Sequence, residues 1–151
     1  MRSVRTARQT PYGSSLGPRM AAATLALFAT GGHGDMSGFS PYLHFETASG
    51  IADGVDEIRK RVRTNIKFGA DLIKVAAGAG VLSEEESVGA PQYSQEELNA
   101  LVQEATMWGR KVAAHAHGAE AIKRAIKTGV KFAFGTDADF SDVDFSVVAL
   151  E

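Results

Sequence analysis

Apolar positions step by three and four along Val55, Ile58, Val62 and Ile66, the spacing of a single buried helix face. Gly69 follows, a residue that tolerates the left-handed backbone that ends a helix. Asp71 to Ala77 is then a short, nearly all-apolar strand with Lys74 inside it. The pattern repeats. Leu98, Leu101, Val102, Ala105 and Trp108 predict the buried stripe of a second helix. Ser94 opens it with Glu97 three residues on, a capping box, and Gly109 closes it. Lys111 to Gly118 is the next strand, Ala119 to Lys127 a third helix stopped by Gly129, and Val130 to Asp137 a further strand.

Strands that are nearly continuous in hydrophobicity and separated by helices run parallel and are covered on both faces. The predicted class is therefore α/β. Each strand also carries polar residues at or near its C-terminal end: Lys74, then His115 with His117, then Asp137. Parallel α/β folds gather ligands and catalytic groups at that edge, in doubly wound sheets and in (β/α)8 barrels alike. A doubly wound nucleotide-binding domain would need a glycine turn entering a helix directly. Neither Gly31-Gly32-His33-Gly34 nor Gly78-Ala79-Gly80 supplies one, since Gly80 leads into the acidic loop from Ser83 to Gln92.

The first residues read differently. Arg2, Arg5, Arg8 and Arg19 precede the first acidic residue, Asp35, and residues 1–17 have the composition of a disordered leader. The apolar run from Met20 to Ala29 follows, which suits a signal or transit peptide. The competing reading is a buried strand over Thr24 to Phe28 that enters the glycine-dense turn around His33. The strand reading is preferred, and with it a cytoplasmic chain slightly over an exported one. The run is too short to span a membrane. Among 151 residues there are 16 glycines and no cysteine, which excludes a disulfide framework, an iron–sulfur cluster and a thiol nucleophile. The net charge of -2 speaks against a dedicated nucleic-acid binder.

Chemistry resides in few side chains. Lys74 is either a snorkelling or ion-paired lysine or a partly desolvated amine able to act as a nucleophile or to capture carbon dioxide. His115 and His117, two apart on a strand, project from one face and suit a metal such as zinc, or are simply satisfied histidines. Asp137 could ligate a metal, accept a proton from water or cap a helix.

Five strings occur in order: Gly-Pro-Arg-Met (17–20), Thr-Gly-Gly-His-Gly-Asp (30–35), Gly-Ala-Asp-Leu-Ile-Lys-Val (69–75), Ala-Ala-His-Ala-His-Gly-Ala-Glu (113–120) and Phe-Gly-Thr-Asp-Ala (134–138). Together they resemble the metal-dependent amidohydrolase superfamily, in its imidazolonepropionase-like and prolidase-like dipeptidase branch. The resemblance implies a (β/α)8 barrel that hydrolyses a carbon–nitrogen bond in a small amide, dipeptide or cyclic amide substrate. It implies one or two divalent ions, zinc foremost. Lys74 matches the lysine carried as a metal-bridging carbamate, His115 a metal ligand, and Asp137 a ligand that is also the general base. His117 and His33 match positions near the substrate.

The family's first-strand His-x-His pair and its strand-six histidine have no counterpart in this sequence. After Gly129-Val130 the chain passes directly to the strand-eight pattern. Residues 18–151 are therefore expected to form a partial barrel with an internal deletion near 129–131. The expectation for such a chain is impaired activity and self-association, or, as the alternative, a non-catalytic half-barrel that oligomerises or binds metal weakly.

Overall fold

The computed structural model describes residues 21–35, 37–43, 50–80, 87 and 89–129, together with the backbone of 132–136 and 145–149. The three helices form where the periodicity put them: α1 spans Gly54–Lys67, α2 Gln95–Met107 and α3 Ala119–Lys127. Their expected stops, Gly69, Gly109 and Gly129, all take positive φ. The capping box on α2 is complete: the Ser94 side chain accepts from the Glu97 N–H while the Glu97 carboxylate accepts from the Ser94 N–H. The other Glu97 oxygen accepts from the Gly54 N–H at 2.8 Å. One carboxylate thus ties the first turns of α1 and α2 together. Burial pushes this carboxyl up, but hydrogen bonds from Ser94 and Gly54 outweigh it and hold the group below its ordinary value.

Strands β1 (Leu72–Ala76) and β2 (Lys111–Ala116) pair in parallel, with Lys74 opposite Ala113 and Ala76 opposite His115. Ahead of β1, Leu27 bridges Val75 and Phe28 bridges Ile51, both in parallel. The strand expected over Thr24 to Phe28 is therefore present as a short rung, with Leu27 fully buried. The far side of the sheet corrects the expectation of uninterrupted parallel neighbours. Strand β3 (Phe132–Thr136) is separated from β2 by β4 (Phe145–Ala149), which runs antiparallel to both. The β-branched pair Val147-Val148 is well suited to extending the open edge of β2.

The pleat sorts β1 and β2 into two unlike faces. Ile73, Val75, Val112, Ala114 and Ala116 belong to the main hydrophobic core with Ile58 and Val62 of α1 and Leu98, Leu101 and Ala105 of α2. The opposite face presents Lys74, Ala76, Ala113 and His115. Trp108, expected in the buried stripe, is 48% exposed. It is the C-cap residue, past the last turn of α2, and its indole N–H donates to Glu104 at 2.9 Å.

Glu104 is the buried charge between α1 and α2. Arg63 grips it with two hydrogen bonds, 2.7 and 3.1 Å, and these hold its carboxyl below the ordinary value of 4.5 despite burial. Glu104→Gln is expected to cost about 1–3 kcal/mol, read as a lower urea midpoint at neutral pH. Because the folded carboxyl is depressed, its contribution is complete above the unfolded-state pKa and is lost as pH falls through the lower folded value. The gap between wild type and variant should close on acidification. A gap that stays constant would show that the ionised pair is not its source.

Candidate functional site

Lys74 and His115 share the face of the sheet that the helices do not cover. In-register parallel pairing puts Lys74 level with Ala113, two residues before His115. With a rise of about 3.3 Å per residue and strands about 4.8 Å apart, their Cα atoms stand about 8 Å apart. That distance lies within reach of a lysine and an imidazole converging on one point. Their strand neighbours on this face, Ala76 and Ala113, are small and buried. Lys74 is half-buried and His115 only 5% exposed.

The surroundings of His115 are built by the chain that leaves β1. The Ala77 N–H donates to the His115 carbonyl at 2.7 Å, and the Gln92 N–H donates to the Ala77 carbonyl at 3.0 Å. Residues 90–92 are thereby laid alongside 77–79. This brings the Ala79 carbonyl to 3.2 Å from Nε2 of His115. A carbonyl can only accept, so in the neutral ring Nε2 carries the proton and Nδ1 the lone pair. The His33 imidazole lies flat on that of His115, with centroids 4.5 Å apart and planes 8° from parallel. His33 is itself anchored by its backbone N–H, which donates to Oε1 of Gln92 at 3.0 Å.

The other expected site residues fall as follows. His117 lies one position past the end of β2, half-buried, immediately before the Gly118 that caps α3. His33 reaches the site, but with its ring face against His115. Asp137 lies outside the described residues, as do the leader over 1–17 and residues 83–86 and 88 of the acidic loop. Sequence reasoning missed Ala79, Gly80 and Gln92. The Gly78-Ala79-Gly80 string, which does not enter a helix, instead lets an imidazole pack against backbone. A Cβ on Gly80 would stand 2.4 and 2.5 Å from the Cε1 and Nδ1 atoms of His33.

The donor chemistry suits a divalent ion in part. A histidine whose second ring nitrogen is held by a backbone carbonyl is oriented as metal ligands are. His33 cannot share an ion with His115 in this geometry, because stacked rings aim their lone pairs in separate parallel planes. Among the described residues no three His, Cys, Asp or Glu side chains converge. Among those residues, too, no helix is long and apolar enough to cross a membrane.

The profile of the Amidohydrolase family matches residues 4–139. Ochratoxinase of Aspergillus niger is 38% identical over 133 residues, which cover 79% of this chain and 28% of that protein. Among solved structures, a Xaa-Pro dipeptidase with methionine bound in its active site superposes with a TM-score of 0.72 and 42% identity, over 78% of this chain and 30% of its own. The crystal structure of the A. niger ochratoxinase gives 0.68 and 37%, over 77% and 30%. The chain thus spans under a third of each relative. The ordered strings, the helix-backed parallel pair and these likenesses agree: the chain belongs to the amidohydrolase family, in its prolidase-like branch, as a partial (β/α)8 barrel.

Proposed function

We propose that this chain carries part of the active site of a metal-dependent hydrolase acting on the amide bond of a small dipeptide-like substrate. The observation that carries the reading is the placement of Lys74 and His115 on one sheet face, opposite the helix-packed one, with His115 fixed as its Nε2–H form by Ala79. The names of the relatives, a dipeptidase among them, support the substrate class. A divalent ion such as zinc, when bound, supplies polarisation of the scissile carbonyl and acidification of a water. His115 offers Nδ1 to it. Lys74, flanked by apolar neighbours, offers its amine or the carbamate that forms when Nζ adds to carbon dioxide and loses a proton. Asp137 is assigned the remaining ligand position and the role of proton acceptor from water, later donor to the leaving nitrogen. His117 and His33 border the space that the substrate enters.

The second reading, a non-catalytic half-barrel with weak metal affinity, is favoured by one observation. Because β4 intervenes, Thr136 at the end of β3 stands two strands away from His115. By register it is also three residues further along. That is about 14 Å along the sheet between Cα atoms, too far for the β3 end and His115 to meet without strong curvature.

Zinc titration by equilibrium dialysis tests the metal centre, and turnover of a dipeptide panel separates the two readings. Weak, exchangeable zinc is expected, with affinity lowered at least about tenfold in His115→Ala and in Lys74→Ala. Unchanged affinity in both variants would remove the metal centre from this face.

A further inference from the structure

We infer that His33 is a positioning residue: its ring, seated against Gly80 and latched through Gln92, holds the His115 imidazole in the plane that directs Nε2–H to the Ala79 carbonyl. Three features converge on this. The rings are close to parallel at 4.5 Å, so His33 presents its π-face rather than a nitrogen to His115. The absence of a Cβ at residue 80 opens the space the His33 ring occupies, since any side chain there would overlap ring atoms at 2.4–2.5 Å. The backbone of His33 is fixed from across the loop by the Gln92 side chain at 3.0 Å.

A histidine on a strand can turn about its terminal torsion, which is broad. The bond from Nε2–H to the Ala79 carbonyl at 3.2 Å restrains that rotation through one ring atom. A flat ring on one face opposes it strongly, because any twist drives ring atoms into ring atoms. His33 therefore acts through His115. Its contact with His115 is made by the aromatic plane. The consequence for metal rests on the proposed role of His115, whereas the ring geometry does not.

The test uses the full 15N-labelled chain as wild type, His33→Phe and His33→Ala. In the metal-free protein, the ring N–H proton of His115 should persist against solvent exchange in wild type and in His33→Phe, and vanish in His33→Ala. Zinc alone should bind wild type and His33→Phe equally, and His33→Ala about tenfold more weakly. Loss of the ring proton in His33→Phe would overturn the inference, since it would mean that a His33 nitrogen is what matters. Retention of the ring proton in His33→Ala would overturn it as well. Should zinc fail to bind wild type, the metal reading falls while the ring proton still decides the stack. Should His33→Ala not fold, His33→Leu, which fills the space without a flat ring, takes its place: loss of the His115 ring proton is expected, and its retention would overturn the inference.

Discussion

Gly118→Ala is expected to destabilise the chain by about 2–5 kcal/mol and to lower its melting temperature by roughly 5–15 °C. Two independent costs meet at this residue. Gly118 sits at φ 83, ψ 145 as the N-cap of α3, a backbone region that an L side chain scarcely enters. A Cβ there would also stand 2.5 Å from Cα and 2.7 Å from the carbonyl oxygen of Gly89. Those are backbone atoms, so no rotamer change relieves the overlap; the loop carrying Gly89 must move. Gly109→Ala is the control. Its φ of 63 is also left-handed, but nothing lies within 4 Å of the added methyl, so only the conformational cost of about 1–2 kcal/mol remains. Urea midpoints of the two variants give the comparison. Equal losses would show that the Gly89 contact contributes nothing. Because Gly118 follows His117 directly, a displaced loop should also disturb the mouth of the site, which the His117 ring resonances would report.

The helices were legible because each of their signals is local. The 3.6-residue stripe, the Ser94–Glu97 box and the three glycine stops all act within a few residues of chain, and all are observed. Trp108 misled because periodicity continues past the point where the helix ends. It extends the stripe by three residues from Ala105, but as C-cap it has left the helical path. The common face of Lys74 and His115 was legible too, since parallel pairing and a two-residue period leave little freedom.

What was not legible depends on contacts between distant segments. Nothing within Phe145–Ala149 says that it will enter between β2 and β3, although Val147-Val148 after an Asp-rich stretch was a usable strand signal. The Ile51 rung, a single bridge, has no periodicity to read. The stack of His33 on His115 joins residues 82 positions apart in sequence and needs Gly80 and Gln92 together. Composition announces four histidines; the fold shows that His33 and His115 touch.

The second large effect concerns the chain acting alone: we expect no more than trace hydrolysis of dipeptides, and association in solution. Attack at neutral pH requires water made acidic by a metal held in a full ligand set. The described residues bring Lys74 and His115 together, and the β3 end, after which Asp137 follows, stands about 14 Å from His115 along the sheet. Association follows from the surface. Among the described residues the sheet ends at β3 on one side and at the Ile51 rung on the other, and both edges offer backbone donors and acceptors to a second copy. Phe68, Met107 and Trp108, at the C-terminal ends of α1 and α2, add exposed apolar surface, with Phe68 65% and Met107 67% exposed. Light scattering on the purified chain, beside a zinc-supplemented dipeptide assay, reads both expectations. A monodisperse monomer with sustained turnover, abolished in Asp137→Asn, would show that the ends of β2 and β3 close on one another in solution. In that case less than a third of a relative's length would hold a working centre, and the interval that β4 imposes would have to be a property of an open form.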